Sequence, residues 1–217
     1  MIELVHGQGA IEHAVIWLHG LGASADDFPP IVPELGLSEG RAIRFIFPQA
    51  PNRPITINGG IEMPGWYDIK GMGIEDKQDA VGIAESQSLL INIVQQQIES
   101  GVPASNIIIA GFSQGGAVAY HTGLRFPEKL AGILALSTYL VFADNVENER
   151  SAANQDTPIL ANHGTFDQVV PLLFGEMSVE KLKALGYPVE LETFPMEHQV
   201  IMPQIKKIGA WINHIFS

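Results

Sequence analysis

Six short apolar runs rich in β-forming residues are spread along the chain. They occupy residues 14–18, 43–47, 107–110, 131–136, 158–161 and 189–194. Their length and near-continuous apolar character are typical of strands buried on both faces, and most of them are predicted to be parallel. The pattern therefore predicts a central sheet.

Helical spacing appears between these runs. Ile83, Leu90, Val94 and Ile98 are separated by seven, four and four positions, and a second set near the C-terminus is separated by three, four and three: Ile205, Ile208, Ile212 and Ile215. Each set lies on one face of a helix. Strands that alternate with helices indicate an α/β fold with helices on both faces of a mostly parallel sheet. In such folds, functional groups gather at the carboxyl ends of the strands.

Residues 48–78 form the exception to this alternation. The stretch is rich in glycine and proline and has no sustained period. Loops of this length in compact domains are usually functional or mobile, so the sequence predicts a functional loop here.

Composition narrows the class of protein. A chain of 217 residues with 46% hydrophobic content is expected to form a single domain, residues 1–217. The longest mostly apolar run, residues 130–143, is shorter than the ~20 residues of a spanning helix, so no stable membrane insertion is expected. There is no cysteine and no basic, apolar leader at the N-terminus, which favours a cytoplasmic location. The net charge of −12 disfavours nucleic acid as a partner.

The sequence Gly111-Phe112-Ser113-Gln114-Gly115 joins a predicted strand to a predicted helix. Gly-x-Ser-x-Gly in this context is typical of a nucleophile elbow, a strained turn that presents the serine hydroxyl above the sheet. The alternative is an ordinary tight turn in which the serine caps the helix.

A serine nucleophile needs a base and an acid, which follow it in the order acid, histidine in folds of this type. Asp167 and His198 each come shortly after a predicted strand. The other histidines are weaker candidates, because His163 precedes Asp167, and His121 and His214 lie in helical patterns. The other acids are weaker as well: Asp144 and Asp156 lie in one long loop, and Glu197 is the neighbour of His198. The sequence favours Ser113, Asp167 and His198 as a catalytic triad.

Backbone amides are expected to stabilise the oxyanion. The first donor is the amide after the nucleophile, Gln114, and Leu21 in the glycine-rich loop after the first predicted strand is the candidate for the second. The same loop matches the dinucleotide fingerprint Gly-x-Gly-x-x-Ala, which would make the protein an oxidoreductase. The next strand ends in Pro48-Gln49 rather than in an acid for a ribose, which argues against that alternative. No metal-binding spacing is present among the seven histidines, and no cofactor is expected.

Several blocks together resemble the phospholipase/carboxylesterase family of α/β-hydrolases, which includes acyl-protein thioesterases and small carboxylesterases. The blocks are WLHGLGASADDF, FPQAPNRPITINGGIEMPGWYDI, NIIIAGFSQGGAVAYHTG, LAGILALSTYL, HGTFDQVVP and EHQV. The resemblance implies an α/β-hydrolase fold without a large cap domain. It places Ser113, Asp167 and His198 on the triad positions and Leu21 and Gln114 on the oxyanion positions. After the histidine, where relatives often carry a small residue, this chain has Gln199-Val200.

The resemblance implies a serine esterase that cleaves carboxylic esters with short to medium acyl chains through an acyl-enzyme. The alternatives are an acyl-protein thioesterase or lysophospholipase that uses the same site, with acylated protein or lysophospholipid as substrate, and an inactive binding module of the same fold. The sequence does not indicate an oligomeric state, but some members pair through apolar surface around the site, so the resemblance adds a homodimer as one option.

An acyl chain also needs an apolar wall. The candidates for this groove are Ile61, Met63, Trp66, Met72, Ile74 and Leu173. Ordinary packing in the core is the alternative for each of them.

Overall fold

A seven-stranded sheet forms the centre of the computed structural model, which describes residues 1–71 and 78–217. Its strands are β1 (Ile2–His6), β2 (Ile11–Leu18), β3 (Ala42–Phe47), β6 (Ile107–Phe112), β7 (Gly132–Leu136), β8 (Ile159–Gly164) and β9 (Val189–Phe194). A separate two-stranded sheet pairs β4 (Asn52–Ile55) with β5 (Ile61–Pro64). The helices are α1 (Ala80–Glu99), α2 (Gln114–Gly123), α3 (Val146–Glu149), α4 (Leu172–Ala184) and α5 (Met202–Ile215).

The order of strands in the large sheet is β1-β3-β2-β6-β7-β8-β9. All neighbouring pairs are parallel except β1 with β3, which are antiparallel. The six predicted runs correspond to β2, β3 and β6–β9, which confirms the mostly parallel sheet. Sequence patterning missed β1, because this edge strand is mostly exposed and lacks the continuous apolar signal of the inner strands.

Both faces of the sheet are covered by apolar packing. Along β2, Ala14, Ile16 and Leu18 pack towards the side of α1 and α2, whereas Val15 and Trp17 pack towards α5. The predicted apolar face of α5 is confirmed, since Ile205, Ile208 and Ile212 are buried. In α1, Ile83, Leu90 and Val94 are buried, as the spacing predicts. A third cluster joins α4 to β7–β9.

The carboxyl edge of the sheet carries no large cap domain within the described parts of the chain. Part of this edge is covered by the described residues of segment 48–78, which the sequence predicted to be a loop without regular structure. That prediction was wrong for residues 52–64, which form the β4–β5 hairpin with a short 3-10 helix, Thr56–Asn58, in its connection.

The hairpin connection is held by contacts distant in sequence. The Asp68 carboxylate accepts hydrogen bonds from the Thr56 amide at 2.7 Å and from the Thr56 hydroxyl at 2.6 Å. The Ile57 amide donates to the Ile69 carbonyl at 2.9 Å. Such pairings leave no periodic trace in the sequence, because each depends on a partner more than ten positions away.

Candidate active site

The site lies where the order of the strands reverses. β3 lies on one side of β2 and β6 on the other, and crevices outside the carboxyl ends of strands at such a point commonly bind ligands. Leu21 follows β2 and Ser113 follows β6. Beyond β7, the last two strands of the sheet, β8 and β9, are followed by Asp167 and His198. Parallel strands therefore deliver all four residues to one edge of the sheet.

Ser113 lies in a strained turn between β6 and α2. Its φ of 54° and ψ of −120° fall outside the conformations that a serine ordinarily adopts. A Cβ at Gly111 would lie 2.2 Å from the Gly115 carbonyl oxygen, and one at Gly115 would lie 2.5 Å from the His19 carbonyl oxygen. Glycine is thus required at both positions for steric reasons. The Ser113 amide and carbonyl are also fixed, by the Leu136 carbonyl at 2.8 Å and the Thr138 hydroxyl at 2.7 Å.

A continuous chain of hydrogen bonds connects the three side chains favoured by the sequence. His198 Nε2 lies 2.9 Å from Ser113 Oγ, and His198 Nδ1 lies 2.7 Å from Asp167 Oδ2. Since a carboxylate accepts, Nδ1 carries the proton and Nε2 is left to accept from the serine hydroxyl. An arrangement of this kind can deprotonate a serine as it attacks a carbonyl carbon.

Asp167 is buried and fully hydrogen-bonded. Burial opposes ionisation, but the hydrogen bond from His198 and those from the Val170 and Val169 amides outweigh it and hold the pKa of the carboxyl below its ordinary value. The two amides donate to Oδ1 at 2.8 and 2.9 Å. His163 is also buried, and its Nε2 lies 2.8 Å from the Val170 carbonyl oxygen, so it supports the same loop.

The rival acids and histidines lie elsewhere. Asp144, Asp156 and Glu197 are exposed. His121 is buried inside α2, and His214 is exposed on α5.

Leu21 and Gln114 line the same cavity as Ser113 and His198. Gln114 is the first residue of α2, so its amide has no acceptor within the helix. Its buried side chain binds the segment after the hairpin: Oε1 accepts from the Trp66 amide at 2.7 Å, and Nε2 donates to the Tyr67 carbonyl at 2.5 Å. Gln114 thus lines the cavity, and its side chain holds the segment that contains Trp66 and Tyr67.

The cavity beside Ser113 has a volume of about 530 Å³. Its wall is mainly apolar and aromatic, and the side chains that supply it are Ile57, Tyr67, Ile69, Phe112, Tyr139, Val169, Val170 and Phe174. A volume of this size falls in the range of small-molecule sites. Ser113, Gln114 and His198 line the same cavity, so it combines potentially reactive groups with a largely apolar wall.

Four of the residues that the sequence favoured for the acyl groove are described by the structure, and none of these four lines the cavity. Trp66 is fully buried and donates its indole N–H to the His19 carbonyl at 2.8 Å, so it belongs to the core beneath the site. Ile61 and Leu173 are exposed, at 63% and 58%. Met63 lies in β5, where its sulfur accepts a weak hydrogen bond from Asn58. Met72 and Ile74 lie outside the described residues.

Sequence reasoning missed most of the wall, although part of it had a signal. Tyr139 comes three positions after β7, at the same sheet edge as Ser113, Asp167 and His198. Applying the strand-end rule to β7 would have selected it. Phe174 is the neighbour of the residue that was chosen, Leu173, and the two differ in direction because successive helical residues point about 100° apart.

The fold and the site define an α/β-hydrolase, and comparisons with known proteins agree. The family model described as Phospholipase/Carboxylesterase matches residues 2–216. Acyl-protein thioesterase 1 of Gibberella zeae is 38% identical over 210 residues, which cover 92% of this chain and 88% of that protein. The crystal structure of SOBER1 from Arabidopsis thaliana is similar with a TM-score of 0.89 and 30% identity, over 94% of this chain and 99% of the other.

A further similar structure is that of acyl-protein thioesterase 2 from Zea mays, with a TM-score of 0.87 and 25% identity over 100% of this chain and 99% of the other. The chain belongs to the phospholipase/carboxylesterase family and is an enzyme of the hydrolase class. In the two described ranges, no helix combines the length and apolar character needed to cross a bilayer.

Proposed function

We propose that the protein is a serine hydrolase that cleaves carboxylic esters with short to medium acyl chains through an acyl-enzyme on Ser113. The observation that carries this proposal is the hydrogen-bonded chain from Ser113 through His198 to Asp167, because Ser113 and His198 also line a cavity with a largely apolar wall. We assign the acyl chain to that cavity.

The proposed reaction has two halves. His198 takes the hydroxyl proton as Ser113 Oγ bonds to the acyl carbon, and the Leu21 and Gln114 amides stabilise the negatively charged oxygen. The tetrahedral intermediate collapses, and the leaving oxygen or sulfur takes the proton from His198. Water, deprotonated by the same imidazole, then attacks the acyl-enzyme, which releases the carboxylic acid and restores the serine.

A thioesterase acting on acylated proteins is the second candidate. It is supported by relatives named acyl-protein thioesterase 1, at 38% and 39% identity over 92% of this chain. The same site can act on either bond, because the acyl carbon and the oxyanion are common to both. A lysophospholipid substrate, a cytoplasmic location and pairing into a homodimer stay predictions.

Replacing the nucleophile tests the proposal directly. Ser113→Ala should abolish labelling by a fluorophosphonate and lower kcat/KM for p-nitrophenyl butyrate by about 10⁵-fold or more, because triad members act as a unit. Ser88→Ala, at an exposed serine of α1, is the matched control and should be labelled like the wild type. Unchanged turnover in Ser113→Ala would overturn the proposed function. The rates at which the wild type hydrolyses octanoyl esters and octanoyl thioesters then distinguish a carboxylesterase from a thioesterase.

A further inference from the structure

His19 has both ring nitrogens in hydrogen-bonding contact, although it is not one of the triad residues. It is the first residue after β2 and is 2% exposed. Nδ1 lies 2.7 Å from the Gly20 carbonyl oxygen, and Nε2 lies 3.1 Å from the Ala50 amide nitrogen. Because an amide can only donate, Nε2 must accept, and Nδ1 must carry the proton that it donates to Gly20.

The neutral form of the ring agrees with its surroundings. Burial lowers the pKa of His19, and this effect outweighs the opposing influence of the Gly20 carbonyl and of the Asp27 and Asp26 carboxylates. A protonated ring would turn Nε2 into a donor facing the Ala50 amide, itself a donor. The tautomer is therefore fixed by the fold.

Fixing the Gly20 carbonyl also fixes the Leu21 amide. In a planar trans peptide, the carbonyl of one residue and the N–H of the next point in opposite directions. The Gly20 carbonyl accepts from His19 Nδ1 at 2.7 Å and from the Ala23 amide at 3.3 Å, so two contacts fix the orientation of this peptide. This peptide lies close to the nucleophile, since a Cβ at Gly20 would lie 3.5 Å from Ser113 Cβ.

We propose that His19 is a positioning residue for the oxyanion site: its Nδ1–H holds the Gly20–Leu21 peptide so that the Leu21 N–H faces the oxygen of the tetrahedral intermediate. The inference rests on the proposed function, in which the Leu21 amide is an oxyanion donor. His19 itself touches neither substrate nor nucleophile in this role.

Ala50, which follows β3, and Trp66, which follows β5, hold His19 in place. The Ala50 amide binds Nε2, and the Trp66 indole N–H binds the His19 carbonyl at 2.8 Å. The Trp66 ring also packs against the imidazole, with ring centroids 5.2 Å apart. Rotation of the imidazole would break both of its hydrogen bonds at once, so the Gly20–Leu21 peptide is set before substrate binds.

Two substitutions separate the two ring nitrogens. His19→Asn keeps a donor near the position of Nδ1 and loses the acceptor for Ala50, whereas His19→Gln keeps an acceptor near Nε2 and loses the donor to Gly20. We expect His19→Gln to lower kcat for p-nitrophenyl butyrate by about 10²-fold with KM within about threefold, the effect of losing one oxyanion donor. His19→Asn should keep kcat within about tenfold, although its Tm falls more.

A second measurement reports the oxyanion alone. The serine oxygen adds to the carbonyl carbon of a trifluoromethyl ketone and forms a negatively charged oxygen. A methyl ketone with the same acyl chain binds instead as a neutral carbonyl compound. The ratio of their inhibition constants should fall about 10²-fold in His19→Gln and stay near the wild-type value in His19→Asn.

The outcomes are distinguishable. The positioning role would be overturned if both variants lost activity in proportion to their loss of folded protein, or if His19→Gln kept the wild-type kcat. Neither outcome would contradict the proposed function. A wild-type protein that neither hydrolyses acyl esters nor reacts with a fluorophosphonate would instead overturn the proposed function itself.

Discussion

Asp167 illustrates how single residues of the site are distinguished from others of the same type. Its Oδ2 accepts from His198, and its Oδ1 accepts from two backbone amides, so both oxygens have partners. Asp144 and Asp156, which also lie between the serine and the histidine in sequence, are exposed. The difference comes from the Asx turn after β8, which holds the carboxylate in place before it meets the imidazole.

The first prediction at this scale concerns that carboxylate. Asp167→Asn should lower kcat by about 10³–10⁴-fold, because an amide nitrogen facing His198 Nδ1 would leave the proton on Nε2, which could then no longer accept from Ser113. Steady-state kinetics on p-nitrophenyl butyrate measure the effect. Asp144→Asn and Asp156→Asn are the controls and should stay within about twofold of the wild type, since exposed substitutions rarely matter. If either of them is the sensitive variant, the acid has been misassigned.

Sequence reasoning reached these residues because their signals are local. Ser113 lies in a short motif, and Asp167 and His198 each follow a strand that has a clear apolar pattern. His19 directly follows the predicted strand 14–18, but this position alone does not show what its ring contacts. Its partners, Ala50 and Trp66, lie 31 and 47 positions away, and only the folded chain brings them together.

At the scale of elements, the site depends on the ends of strands and on the segments that follow them. Strand ends could be predicted, since burial on both faces leaves a continuous apolar run. Most of the cavity wall could not be predicted, because it comes from the connection of the β4–β5 hairpin, from irregular segments after β5, β7 and β8, and from the first turn of α4. Their paths are set by hydrogen bonds such as those between the Gln114 side chain and residues 66 and 67.

A prediction about α4 follows from this wall. Phe174 lines the cavity and packs edge-on against Tyr139, with centroids 6.3 Å apart, whereas the neighbouring Leu173 does not line it and is exposed. Phe174→Ser should lower the ratio of kcat/KM for octanoyl over acetyl p-nitrophenyl esters by about tenfold, because each CH₂ that loses apolar contact costs up to about 0.8 kcal/mol. Acetyl hydrolysis should persist.

Leu173→Ser is the matched control, one position away on the same helix. Its octanoyl-to-acetyl ratio should change by less than about twofold, and thermal unfolding of both variants should show that the fold is kept. An unchanged ratio in Phe174→Ser, or an equal fall in Leu173→Ser, would remove this face of α4 from acyl binding.

At the scale of the whole molecule, site residues from both halves of the chain lie at one edge of the sheet, whereas the two faces of the sheet pack against the helices to form the core. In the proposed mechanism, residues before β4 contribute the oxyanion loop, and residues after β6 contribute the nucleophile, acid and base. Sequence patterning missed the edge strand β1 and the β4–β5 hairpin, and neither of them contains Ser113, Asp167 or His198. Burial in the core also places titratable groups away from water, and these groups link stability to pH.

Among the buried titratable groups, His121 is expected to link the stability of the fold to pH most clearly. Burial in α2 lowers its pKa from 6.5 to about 4, with the Arg125 charge acting in the same direction and Glu149 opposing it. The folded protein therefore resists protonation of a ring that the unfolded chain protonates readily. The sign of the linkage follows: the contribution to stability is fully present above the unfolded pKa of 6.5 and is lost as pH falls towards about 4.

Between about pH 7 and about pH 5, we therefore expect the wild type to lose about 2 kcal/mol more free energy of unfolding than His121→Gln, which has no titrating ring at this position. Urea denaturation at the two pH values measures the difference, and any effect of the other buried histidines, His19 and His163, cancels because both proteins keep them. His214→Gln, at an exposed position of α5, should lose as much as the wild type. Equal losses in the wild type and His121→Gln would show that His121 does not link folding to protons in this range.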